Sequence, residues 1–225
     1  MRRVSEVRGE GSVRVAVLTG AGRAFSAGGD LAWLLARHRD SPANNCAVMQ
    51  EFYRKFLSLR DLEVPVIAAI NGPAIGAGLC LALGGADIRV MSEAAKLGVT
   101  FTKLGLHPGM AATHFLPQLA GPQVAAELLL TGRLLNSQEA VKLGLVARVA
   151  EDAMVPAREM ADMICEAGPV SVRTLTKTLR DRQNQGLEET FRREAEAQAV
   201  CYPTQDLAEG VTALQEKRNP HFKGC

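Results

Sequence analysis

The sequence has no Cys-x-x-Cys pair, and its five cysteines (Cys46, Cys80, Cys165, Cys201 and Cys225) are an odd number scattered along the chain. That spacing supplies neither a disulfide framework nor a zinc-ligand set, and it predicts a reducing compartment, cytoplasmic or mitochondrial. An excess of one charge is also missing: Lys and Arg total 26 against 24 Asp and Glu, for a net charge of +2. So mild a balance provides no basic stripe for nucleic acid. No signal-peptide pattern opens the chain, and no apolar run is long enough to span a membrane. The longest such run, Val64 to Leu83, is interrupted by Asn71-Gly72-Pro73 and by further small residues. There is no P-loop sequence. Gly20-Ala21-Gly22 starts like a dinucleotide fingerprint, but Phe25 stands where the third glycine belongs.

What is present fits a folded α/β protein. The 225 residues are 47% hydrophobic and 22% charged, enough for one domain with a full core, or one domain plus a helical appendage. Met1 to Arg8 reads as the tail of an amphipathic helix entered midway. The pattern predicts a segment upstream of this chain, and with it any targeting signal.

Two strand–turn–helix units organise the sequence. In the first, Val13 to Leu18 is a β-branched apolar run that ends at Thr19-Gly20. A small-residue loop follows to Gly29, and Asp30 opens a helix to Arg39. In the second, Val64 to Ile70 is a buried strand ending at the turn Asn71-Gly72-Pro73, and Ala74 to Leu83 is a buried helix broken by Gly84-Gly85. Between them, Ser41-Pro42 reads as an N-cap followed by Pro at the first helical position, with a helix through Leu62. Short strands are expected at Asp87–Met91, Lys96–Phe101 and Leu145–Val149. Helices are expected from Pro122 to Leu130, closed by Gly132, and from Asn136, where Glu139 completes a capping box. Three or four amphipathic helices then follow, over Asp152–Ala167, Ser171–Asn184, Leu187–Val200 and Asp206–Lys217. Strands alternating with helices predict a largely parallel sheet, with ligands beyond the carboxyl ends of its strands. Both glycine loops fall at those ends.

Four stretches, in order, resemble the signatures of the enoyl-CoA hydratase/isomerase (crotonase) superfamily. They are Gly22-Arg-Ala-Phe-Ser-Ala-Gly-Gly-Asp-Leu31, Pro65 through Gly78, Leu97 through Gly109, and Leu130 through Val146. The resemblance covers nearly the whole chain, except that the family's first strands have no counterpart. It implies an α/β fold, a spiral of ββα-type turns, with a core over residues 1–150 that holds the acyl-CoA pocket. Residues 151–225 would then be a helical region that assembles a homotrimer or hexamer. No cofactor is implied, since the CoA thioester is the substrate.

By resemblance, the thioester oxygen would sit between the backbone N–H groups of Gly29 and Ala77. Both are small residues in strand-to-helix loops, which suits them to present an N–H to a ligand. Arg23, Ala24, Ser26, Ala27, Gly28, Asp30, Leu31, Ile75, Gly76 and Gly78 would surround the ligand. Asp30 also suits a helix cap. Arg23, Lys217, Arg218 or Lys223 would meet the CoA pyrophosphate. The two glutamates of the hydratases fall on Cys80 and Phe101, neither a carboxylate. A one-residue slip gives Leu79, Leu81, Thr100 or Thr102, which are no better as bases. The remaining candidates for acid–base or nucleophilic work are His107, His114 and Cys80, each of which also fits a structural role. His38 and His221 stand in no motif. Two functions follow: an enzyme that stabilises a thioester enolate without the glutamate pair, as an isomerase, lyase or hydrolase, or a non-catalytic acyl-CoA-binding scaffold. The stripe Leu187, Phe191, Ala195 and Val200 is expected to be buried against a neighbouring subunit.

Overall fold

The computed structural model describes residues 12–225, so the stretch Met1 to Arg8 lies outside the described residues. The centre is a parallel four-stranded sheet of β1 (Ala16–Thr19), β2 (Val66–Ile70), β4 (Ile88–Ser92) and β7 (Arg148–Ala150), adjacent in that order. Val17 pairs with Ile67, Ala69 with Val90, and Met91 with Val149. The unbroken apolar run Val66-Ile-Ala-Ala-Ile70 has every residue buried, because the sheet is covered on both faces. The two-residue period of the strand divides its side chains between two cores. Ile67 and Ala69 join Val90 under α7 (Met154–Glu166), whereas Val66, Ala68 and Ile70 enter the main core.

A second, smaller sheet carries the connections. β3 (Ala74–Ile75) runs parallel to β5 (Leu97–Gly98), which pairs antiparallel with β6 (Leu134–Leu135). Here the expected boundaries shift. Lys96–Phe101 contributes only Leu97–Gly98 to a strand and then turns into the 3-10 segment Phe101–Leu104. Ala74–Ile75 is strand rather than helix, and α3 (Ala77–Gly85) runs through Gly84-Gly85 instead of stopping there. Packing explains that continuation: a Cβ on Gly84 would stand 2.7 Å from the Phe115 ring, so the bare backbone lets the helix lie close. Asp87 precedes its strand, since its carboxylate accepts the Val66 N–H at 2.7 Å. The last strand begins at Arg148 rather than Leu145.

The helix starts follow their caps. Asp30 caps α1 (Leu31–His38), Ser41 caps α2 (Pro42–Phe56), and the Asn136–Glu139 capping box opens α6 (Ser137–Lys142). The helices α4 (Ala112–Ala120) and α5 (Pro122–Thr131) pack on one another. The last helices fold back over the same chain. From α8 (Pro169–Gln183) Arg180 reaches the sheet, α9 (Leu187–Cys201) lies along α2, and α10 (Gln205–Glu216) covers α1 and the Phe101–Leu104 turn. Leu187, Phe191 and Ala195 are buried within this one chain, with the Phe191 and Tyr53 ring centroids 5.9 Å apart. They therefore do not require a neighbour, while Val200 is 70% exposed and falls outside the stripe. Among the described residues no helix is long and apolar enough to cross a membrane.

Candidate functional site

The two glycine loops meet beyond the carboxyl ends of β1 and β2. Phe25 N–H and Ser26 N–H both donate to Pro73 O at 3.1 Å, and Ile75 N–H donates to Ser26 O at 3.0 Å. Asn71 ties the same pair with its side chain. Its Oδ1 accepts from Gly20 N–H at 3.0 Å, and its Nδ2 donates to Gly22 O at 2.9 Å. Asn71→Ala strands both backbone groups and is expected to cost about 1–3 kcal/mol. The check is a lower urea midpoint at an unchanged slope. Gly78 is where α3 crosses the first loop, and a Cβ there would stand 2.5 Å from Ser26. Ser26, Ala24 and Gly78 thus join the loops and do not line the cavity beside them.

That cavity has a volume of about 420 Å³. Ala27, Gly28, Gly29, Asp30 and Leu31 line it from the first loop, and Ile75, Gly76 and Ala77 from the second. A Cβ on Gly28 would lie 3.8 Å from Ala77 N, which measures how closely the loops approach. Ala77 is the first residue of α3, so its N–H precedes the helical ladder, whose first bond here runs from Cys80 N–H to Gly76 O. Gly29 precedes Asp30, whose Oδ1 accepts from Trp33 N–H at 2.8 Å. Among the described residues neither the Gly29 N–H nor the Ala77 N–H has a hydrogen-bond acceptor in the protein. Both residues face one cavity, and Ala77 stands at the positive end of a helix dipole.

The opposite wall comes from segments without a motif. Met49, Phe52, Tyr53 and Phe56 lie on one face of α2 at helical spacing, and Trp33 and Leu34 join them from α1. Phe101, Leu104, Leu106 and Met110 follow from the third signature stretch. Gln198 and Tyr202 from the α9 end, and Leu214 from α10, close the cavity. The sequence offers no signal that these C-terminal helices line the cavity, and the only signal for the α2 wall is its aromatic spacing. Tyr53 Oη donates to Gln198 Oε1 at 2.8 Å, and Gln198 Nε2 donates to His107 O at 2.8 Å. Burial pushes both the Tyr53 and Tyr202 phenols up, so they remain protonated donors.

Phe101 lines the cavity as an apolar wall, and Asp30 is the single carboxylate among the described lining residues. The other candidate reactive groups lie elsewhere. Cys80 is buried in α3 outside the cavity lining, and burial pushes its thiol well up, which opposes thiolate chemistry. His107 also lies outside that lining. Its Nδ1 stands 2.6 Å from Pro108 O, and burial pushes its pKa down. His114 is held at α8, with Nε2 2.6 Å from Gln183 O and Nδ1 3.5 Å from Thr190 Oγ1. Both histidines are packed structural groups here.

Arg23 is exposed and does not line the cavity. Arg218 is shared between Glu209 at 2.6 Å and Glu216 at 2.6 Å, so it is not a free cation. Lys217 and Lys223 are exposed, and neither lines the cavity. A buried acid unmarked in the sequence lies behind the site. Glu194 of α9 accepts from Ala111 N–H at 2.6 Å and from Thr113 N–H at 2.9 Å, capping α4. Burial pushes its carboxyl up to about 7, against the pull of those bonds.

Comparison with known proteins agrees with this arrangement. The family model described as enoyl-CoA hydratase/isomerase matches residues 2–225. A relative from Thermus thermophilus is 38% identical over 224 residues, covering 99% of this chain and 88% of that protein. A carnitinyl-CoA dehydratase from Proteus mirabilis is 35% identical over 223 residues, covering 96% of this chain and 84% of the relative. The crystal structure of an enoyl-CoA hydratase from Mycobacterium avium subsp. paratuberculosis superposes with a TM-score of 0.83 at 26% identity. It covers 97% of this chain and 83% of that one. With its two loops, its parallel sheet and a match over nearly its whole length, the chain belongs to the enoyl-CoA hydratase/isomerase family.

Proposed function

We propose that the cavity binds an acyl-CoA thioester and stabilises its enolate, in an isomerase, lyase or hydrolase type of reaction. The observation that carries this is the pair of unpartnered donors, Gly29 N–H and Ala77 N–H, on one cavity wall. In this reading the thioester oxygen accepts from both. Charge moves onto that oxygen when the α-proton leaves, so the two bonds strengthen as the enolate forms. The α3 dipole adds to them. One such donor contributes about 2.7–4 kcal/mol to a transition state.

Hydration of a double bond by the usual glutamate pair is not expected. Phe101 supplies no proton, and Cys80 is outside the cavity. Exchange of the α-hydrogens of a saturated acyl-CoA in deuterated buffer tests the reading directly. Protein-dependent exchange supports it. Tight thioester binding without exchange leaves the non-catalytic binding protein, and absence of thioester binding overturns both. Ala77→Phe keeps the backbone donor but fills the space before it. It is expected to weaken thioester binding at least about tenfold, since overpacking a formed site costs roughly 1–3 kcal/mol. Calorimetric titration beside a circular dichroism spectrum checks it.

Assembly into a trimer or hexamer is part of the same proposal. Exposed apolar residues on α5 and β6, Leu130 at 76% and Leu134 at 49%, support a subunit contact. Light scattering that returns a monomer overturns it.

A further inference from the structure

We propose that the acyl group this protein takes is uncharged and carries an aromatic ring, an inference that rests on the cavity being an acyl-CoA site. The chain is poor in aromatics, with seven Phe, two Tyr and one Trp. Six of these ten line the one cavity: Trp33, Phe52, Tyr53, Phe56, Phe101 and Tyr202. Tyr53 and Tyr202 are sealed behind its surface, but Trp33, Phe52, Phe56 and Phe101 are half-buried. Three of the half-buried rings form a continuous wall. Trp33 and Phe52 have centroids 5.9 Å apart at 30°, and Phe52 and Phe56 stack at 5.2 Å and 28°. Arg37 Cζ lies 5.4 Å from the Trp33 ring centroid, so a cation already engages that indole. A flat ring in the cavity extends this wall by offset or edge contact, which a flexible alkyl chain matches only by area.

Charge is excluded by the same lining. No Lys, Arg or His is among the described lining residues, and the single carboxylate, Asp30, adjoins Gly29 at the loop end. The polar groups Tyr53, Gln198 and Tyr202 on the wall opposite the loops are already committed to each other. Gln198 Oε1 accepts from Tyr53 Oη at 2.8 Å and from Tyr202 Oη at 3.3 Å, while Gln198 Nε2 donates to His107 O at 2.8 Å. A carboxylate at the far end of an acyl chain would lose its water and meet no cation.

Trp33, the one tryptophan in the chain, reports from the cavity wall, so its emission can follow binding. The test titrates the full chain with 3-phenylpropionyl-CoA, hexanoyl-CoA, glutaryl-CoA and free CoA, by calorimetry and Trp33 fluorescence. The expected order places 3-phenylpropionyl-CoA about tenfold tighter than hexanoyl-CoA. Glutaryl-CoA is expected at least about 100-fold weaker than either. Phe52→Leu, with a native circular dichroism spectrum, is expected to bring the aryl-to-alkyl ratio towards one, and Phe56→Leu repeats the test should the first variant misfold. Equal or tighter binding of hexanoyl-CoA or glutaryl-CoA overturns this inference while leaving the acyl-CoA site intact. Thioesters that bind no better than free CoA overturn the site itself.

Discussion

Arg180→Met is expected to lower folding stability by about 3–5 kcal/mol, the scale for breaking one side of a buried pair. The residue is only 4% exposed and donates to five acceptors at once. Its Nε donates to Asp87 Oδ1 at 2.8 Å and its Nη2 to Asp87 Oδ2 at 2.5 Å. The remaining donors go to the carbonyls of Arg60, Leu62 and Val64, which form the approach to β2. Met fills much of the same space but donates nothing. It leaves a half-sheltered carboxylate without its hydrogen-bonded cation and three carbonyls without their donor. The stranded charge is the larger part of that cost, so Asp87→Asn in the same chain should restore a share of it. The readouts are the urea midpoint and the melting temperature, the latter falling by on the order of 10 °C. A single variant within about 1 kcal/mol of the parent would show that α8 is not anchored through this residue. The cavity lining contains neither Arg180 nor Asp87, so any folded fraction should bind ligand unchanged.

Arg180 also shows where sequence reasoning stops. The strand it supports was legible, because Val66-Ile-Ala-Ala-Ile70 is apolar throughout and ends at a strong turn. The caps at Asp30, Ser41 and Asn136 were legible as well, since capping is local chemistry. The two loops could be read as partners because each is a small-residue turn between a strand and a helix. By contrast, Ala74–Ile75 and Leu97–Gly98 are strands only through pairing with distant segments, each other and Leu134–Leu135 among them, and two residues carry no period. Gly84-Gly85 stays helical because Phe115 and Leu57 press against it, a tertiary effect that overrides local propensity. The far wall of the cavity was hidden for the same reason. Tyr53 meets Gln198 across 145 positions of sequence, and nothing near either residue announces the other. A lone histidine is similarly silent. What fixes His114 is the carbonyl of Gln183 on a helix 69 positions away.

Glu194→Gln should change not only stability but its dependence on pH. In the folded chain the carboxyl is 1% exposed, and its two oxygens accept from Ala111 N–H, Thr113 N–H and Thr113 Oγ1 at the start of α4. An amide cannot match that set, because its NH₂ group must face one of those backbone donors. At acid pH the variant is therefore expected to be less stable than the parent by about 1–3 kcal/mol, the cost of an unsatisfied buried donor. The parent then loses that advantage as pH rises. Burial has pushed this carboxyl up to about 7 from an ordinary value of 4.5, so the folded state holds its proton more tightly than the unfolded chain does. Stability from such a group is complete below the unfolded value and is lost as pH climbs through the folded one. Over pH 4.5 to 7 that loss amounts to about 3 kcal/mol, at 1.36 kcal/mol per unit. The gap between parent and variant should thus close or reverse across this window and stay flat above it. Urea titrations of both proteins from pH 4.5 to 8 check the sign. Curves that run parallel, or a gap that widens with pH, would mean that the three donors outweigh burial and that Glu194 is already ionised throughout.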